Sequence, residues 1–148
     1  VVADSVYGNC PEFRKAVESI PDVAYLVGMP NNTQCWLRRP ITEKKGYKHG
    51  RVRKTKLILK ASEKDPITFD TFAKSLNKFF WYRRKVSEGT KGPIEYEFTK
   101  RQIVLARDGL PEDDVWLIIR RTLGENPIYS YYILTRQFNR RPVLHTQF

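Results

Sequence analysis

The 148-residue chain is poor in sulfur, with two cysteines (Cys10 and Cys35) and one methionine (Met29). Two cysteines, accompanied only by His49 and His145 far apart in the sequence, give no zinc-ligand spacing. In a reducing compartment a disulfide between them is not expected. Position 1 is not methionine and already lies in a strand-like run, so the sequence is expected to begin inside a longer protein. No apolar stretch approaches the roughly 20 residues needed to cross a bilayer, and no charged-then-apolar leader opens the chain, so a cytoplasmic protein without a membrane partner is expected. Without a leader, the Asn31-Asn32-Thr33 match to a glycosylation acceptor carries no weight. The glycines do not form a phosphate-binding loop: GTKGP (89–93) lacks both the spacing and the following Ser or Thr, and is expected to be a hairpin turn. Ser5 and Ser130 have no histidine nearby, which argues against a nucleophilic triad. Internal repeats and low-complexity tracts are absent.

Acidic residues are also scarce, 16 against 27 Lys and Arg, leaving a net charge of +11. The imbalance is local. Residues 1–35 carry a net −2, residues 36–60 carry ten basic groups and one acidic group, and residues 61–148 carry a net +4. A concentrated basic stretch is the footprint of a surface that neutralises phosphates. Arg38, Arg39, Lys44, Lys45, Lys48, Arg51, Arg53, Lys54 and Lys56 are therefore candidate nucleic-acid contacts, the alternative being a solvated loop.

The hydrophobic pattern begins with a strand-like run at Val1 to Ala3, followed by turn signals at Gly8 and Asn9 and a helix-start proline at Pro11. Phe13, Ala16, Val17 and Ile20 recur at helical spacing, Pro21 and Asp22 stop the helix, and Ala24 to Met29 form a second strand. This order predicts a β-α-β unit. Beyond Pro30 the pattern becomes mostly β, with short strands at Gln34 to Arg38 and Leu57 to Leu59 and a basic, glycine-punctuated loop over 41–54. A helix is predicted over 66–78, with Thr68 and Asp70 as caps. An antiparallel meander follows: 79–86, 94–98, 115–123 and 128–135, with turns at SEGTKGP, Asp108-Gly109 and GENP. Ile94, Tyr96 and Phe98 alternate with polar residues, and the alternation changes phase before Ile103 and Leu105, which predicts a bulge near 99–102. The tail from 136 has no assignment.

Two sets of residues suggest chemistry. Trp81, beside Arg83, Arg84 and Lys85, is a candidate for stacking on unpaired bases, whereas Trp116 within VWLII is expected in the core. Asp4 ends the first strand, where ligand and catalytic groups collect in open α/β sheets. On the residues alone, a turn or capping role for Asp4 stands beside a catalytic one.

VVADSVYGNCPEFRKAVE, then AYLVGMPNNTQCWLRRP, resembles the segment around the second catalytic Asp of DDE-type insertion-sequence transposases, members of the DDE endonuclease superfamily. RRKVSEGTKGPIEYEF and VWLIIRRTLGENPIYSYYILT resemble the β-rich insertion of such enzymes. The resemblance implies an α+β fold: part of a ribonuclease H-like α/β core over 1–30, a mostly antiparallel β insertion over 31–136, and a possible return to the core over 137–148. It implies that the parent enzyme cleaves and joins DNA, at transposon ends and target sites, by two-metal phosphoryl transfer with Mg2+ or Mn2+. Asp4 would be both catalytic residue and metal ligand. The first Asp and the final Glu would lie outside the sequence, leaving the fragment inactive. A nucleoid-associated location and a homodimeric parent are further implications. The rivals are a non-catalytic, basic nucleic-acid-binding β module and a protein-interaction domain.

Overall fold

The computed structural model describes residues 2–4, 8, 10–18, 25–46 and 55–135. The fold is α+β and β-rich: two α-helices and a 3-10 turn accompany ten strands among the described residues. β1 (Val2–Ala3) pairs in parallel with β2 (Leu26–Met29), and α1 (Pro11–Glu18) lies between them in sequence, as the β-α-β expectation required. Phe13 and Val17 turn one side of α1 to the core, while Ala16, also predicted to face inward, is exposed. Gly8 explains why a side chain is missing at its position. It lies so close to β2 that a Cβ would stand 2.2 Å from the Gly28 carbonyl oxygen.

β3 (Gln34–Trp36) leads to a separate two-stranded sheet, β4 (Thr42–Gly46) antiparallel to β5 (Thr55–Leu59). Residues 42–46 are therefore strand, correcting the loop expected from 41 to 54; residues 47–54 lie outside the described set. β6 (Ile67–Thr68) precedes α2 (Phe69–Ser75). Thr68 caps the helix by accepting a hydrogen bond from the Thr71 N–H, as its sequence position suggested. The helix is shorter than predicted because the chain leaves it at Leu76 and makes a 3-10 turn at Lys78–Phe80.

The meander is β7 (Tyr82–Gly89), β8 (Gly92–Arg107), β9 (Leu110–Arg121) and β10 (Tyr129–Thr135). Asp108-Gly109 is the two-residue turn between β8 and β9. Both residues have positive φ, 52° and 75°, the combination that matches the twist of a two-residue hairpin. The main sheet runs β1-β2-β10-β9-β8-β3-β6, with β7 also on β8. Sixteen residues make β8 long enough to pair with β7 through its first half and with β3 near its end. Since β10 pairs with β2, the opening strands and the meander share one sheet.

One face of that sheet is buried. Val27, Met29, Thr99, Ile103, Val115, Leu117, Ile119, Tyr131 and Ile133 point to it, beneath residues of α1 and α2 and the Trp81 ring. Each fully buried branched aliphatic there contributes about 1.5–3 kcal/mol. Phe69 packs against Tyr131 with ring centroids 5.9 Å apart. The Tyr131 hydroxyl donates to Asp70 at 3.0 Å, fastening α2 to β10. Hydrogen bonds from Lys74 and then Tyr131 hold the Asp70 carboxyl below its ordinary range, and burial raises the Tyr131 phenol.

Alternation assigns β8 differently from the sequence. Thr99 and Ile103 face the core, whereas Tyr96 and Phe98 point to the opposite, half-exposed face. The apparent change of phase is thus an aromatic pair on the open side, with regular pairing from Glu97 to Val104; the irregularity falls later, between Val104 and Ala106.

Two predictions follow from packing. Gly8→Ala pushes a methyl into the β2 backbone and should lower unfolding free energy by about 1–3 kcal/mol in denaturant titration; an unchanged midpoint contradicts the close approach. Cys35 is completely buried, and burial pushes its thiol up to about 12. In the native protein a disulfide-exchange reagent at neutral pH should modify half-buried Cys10 first and Cys35 only on unfolding.

Candidate active site and basic surface

Asp4 directly follows β1, at the end of the strand that pairs in parallel with β2. Its backbone carbonyl accepts the Gly8 N–H at 2.9 Å. The residue itself is exposed. Its backbone carbonyl therefore takes part in the corner, and the residue stands at the surface. A carboxylate oxygen suits a hard divalent cation. Among the described residues, however, no three His, Cys, Asp or Glu side chains gather closely enough to hold a metal. One carboxylate does not make a metal site, and the described residues do not form one by themselves.

The predicted basic contacts fall into several environments. Arg39 donates to the Glu112 carbonyl oxygen at 2.8 Å and to Asp114 Oδ1 at 2.7 Å, so its charge is matched. Arg38 is exposed beside it and borders an open cavity of about 520 Å³ with Trp36 and Lys64. Lys44 and Lys45 lie on β4 and Lys56 on β5, all exposed. Lys45 and Lys56 are direct cross-strand partners. Like charges directly opposite destabilise a strand pair, so this arrangement favours an anionic ligand over the hairpin. Lys48, Arg51, Arg53 and Lys54 lie outside the described residues.

The Trp81 cluster is split by strand alternation. Trp81 is only 7% exposed, with Arg121 over its ring at 4.0 Å and the Tyr129 edge at 6.0 Å. A base cannot reach that ring, which corrects its expected stacking role. Arg83 forms two hydrogen bonds to Glu95 Oε2, at 2.9 and 2.6 Å, and Lys85 is paired with Glu88. Arg84 points to the other face of the sheet, where it lies opposite Tyr96 and donates to the Arg83 carbonyl oxygen.

Sequence reasoning missed that other face. Trp116, assigned to the core, is half-exposed on it, together with Tyr96, Phe98 and Tyr132. Lys100 lies over Trp116 at 5.5 Å, and Arg120 lies over Tyr96 at 4.6 Å and Tyr132 at 5.8 Å. The signal was present in the two-residue spacing of Tyr96, Phe98 and Lys100, and of Trp116, Ile118 and Arg120.

No described helix is long and apolar enough to cross a membrane. No match is found among curated proteins or among solved structures. The family of DDE superfamily endonucleases matches residues 1–93, spanning Asp4, the basic hairpin and β7 and ending at the start of β8, so that β9 and β10 fall outside the matched part. With most of its length matched, from the β1 corner to the first residues of β8, the chain belongs to the DDE superfamily endonuclease family.

Proposed function

We propose that the chain is the part of a DNA transposase that carries the second catalytic Asp, Asp4, within an enzyme that cleaves and rejoins DNA strands. The observation that carries this is the exposed position of Asp4 at the end of a parallel strand, inside the segment matched by the endonuclease family. Strand ends are where an α/β sheet presents groups to a ligand, because the backbone there leaves the hydrogen-bonded ladder and the side chain meets open space. Gly8 supports the same reading: it packs directly on β2, and its N–H is held by the Asp4 carbonyl oxygen.

Two divalent cations, held by three carboxylates, are the group such enzymes use to activate a nucleophile and stabilise the leaving oxygen. The described residues supply one carboxylate toward such a site, so no step through the metals is derived. The reading takes residues 1–30 as part of a ribonuclease H-like core and 31–136 as an insertion, with the remaining carboxylates supplied from outside the described residues. The chain alone is then inactive in cleavage. The basic hairpin would hold the DNA backbone: opposed Lys45 and Lys56 form a pair whose charge repulsion is relieved by phosphate, with Lys44 on the other face and exposed Arg38 as further contacts. The same repulsion also favours the plainer reading, a basic module that binds nucleic acid without cutting it.

Cleavage and binding separate the two readings. In the full-length protein, Asp4→Asn should lower strand cleavage by at least about a thousandfold, the several kcal/mol that a metal ligand supplies, while DNA affinity stays within about twofold. Retained cleavage, or an equal loss of binding and cleavage, contradicts a catalytic Asp4.

A further inference from the structure

We propose that the open face of the β7-β8-β9-β10 sheet is a binding surface for unpaired DNA, a site separate from both Asp4 and the basic hairpin. Strand pairing brings its residues together. Arg84 is opposite Tyr96, Phe98 is opposite Arg120, Arg120 is opposite Ser130, and Trp116 is opposite Gln102 and Leu134. All of these therefore point to one side, away from the helices that cover the buried face. Across four strands spaced about 4.8 Å apart, the face extends some 14 Å, enough for two or three bases on an open antiparallel sheet.

The chemistry of this face is aromatic and cationic. Tyr96, Phe98, Trp116 and Tyr132 are its half-exposed rings, and Lys100, Arg120 and Arg84 stand among them. Arg120 lies 4.6 and 5.8 Å from the centroids of Tyr96 and Tyr132, so the guanidinium and the two rings form one contiguous cluster. Bases stack on guanidinium planes as well as on aromatic rings. Neither Arg84, Lys100 nor Arg120 has a carboxylate partner among the described residues, although Arg83 and Lys85 on the reverse side do. Two acids of β8, Glu95 and Glu97, point to that reverse side as well.

This sorting of charge selects the occupant. An apolar protein segment would bury the three cations without partners, at a large desolvation cost. Double-stranded DNA offers phosphates but keeps its base faces stacked, so the rings gain nothing from it. An unpaired strand offers both phosphates for the cations and base faces for the rings. The inference does not require cleavage by Asp4, because it concerns affinity alone.

Tryptophan fluorescence reads this face directly. Of the three tryptophans, Trp36 and Trp81 are 6% and 7% exposed, and only Trp116 is half-exposed. Titrating the full chain with a short oligothymidylate should quench Trp116, whereas a duplex of equal length should not. In a parallel anisotropy titration at one fixed salt concentration, Tyr96→Leu and Tyr132→Leu should each weaken oligothymidylate binding about tenfold and change duplex binding by less than about twofold. A circular dichroism spectrum matching that of the wild-type chain certifies that each variant folds. Tyr96→Trp should restore affinity, since it returns a ring without the hydroxyl. Absence of quenching, unchanged oligothymidylate affinity in folded variants, or an equal loss toward duplex overturns the proposal; quenching in the wild-type chain requires no variant and decides the case if the substitutions fail to fold.

Discussion

The two-residue alternation of β8 and β9 is the constraint on which the rest of the molecule depends. A strand presents successive side chains to opposite faces, so one register decides what is buried and what is offered to a ligand. Here the register sends Thr99, Ile103, Val115, Leu117 and Ile119 under the helices. It sends Tyr96, Phe98, Lys100, Trp116 and Arg120 to the open side. A slip of one residue would exchange these sets, burying Lys100 and Arg120 and exposing Leu117 and Ile119. The burial energy of the aliphatic set thus also fixes the arrangement of the aromatic and cationic one.

The same constraint connects the two ends of the chain. β10 pairs with β9 on one side and β2 on the other, and β2 in turn holds β1 and the Asp4 corner. The position of Asp4 is therefore set by a sheet whose larger part follows it by about a hundred residues, and Gly8 transmits that position by direct contact with the β2 backbone. In a DDE superfamily endonuclease, this places the acidic corner and the meander in one continuous hydrogen-bonded frame. The basic β4–β5 hairpin forms a sheet of its own, with its lysines on both faces.

Much of the frame was legible locally. Pro11 marked the first residue of α1, Thr68 the cap of α2, and Asp108-Gly109 the hairpin between β8 and β9, because each acts through its own backbone geometry. The meander was legible from turn residues and apolar runs. The faces of its strands were not. Tyr96 and Phe98 looked like core because aromatic residues carry large apolar area, and the change to Ile103 then looked like a bulge. Trp116 lies in a run, VWLII, apolar on both faces, where alternation gives no polar marker to say which face is open. Trp81 seemed accessible from its basic neighbours, but Arg121 on β9, forty residues away, covers it. Of the candidate site, the place of Asp4 at a strand end was readable from the apolar run before it. The pairing of Arg83, Lys85 and Arg39 with acids depends on tertiary partners that sequence spacing does not reveal.

Hydroxyl-radical footprinting of the free protein tests the division of the sheet most directly, since it reports side-chain exposure ring by ring. Tyr96, Trp116 and Tyr132 should be oxidised severalfold faster than Tyr25, Trp36, Trp81 and Tyr131. Protection of the first group together with reaction of the second would place the register of β8, β9 and β10 on the wrong face and contradict this account of the fold.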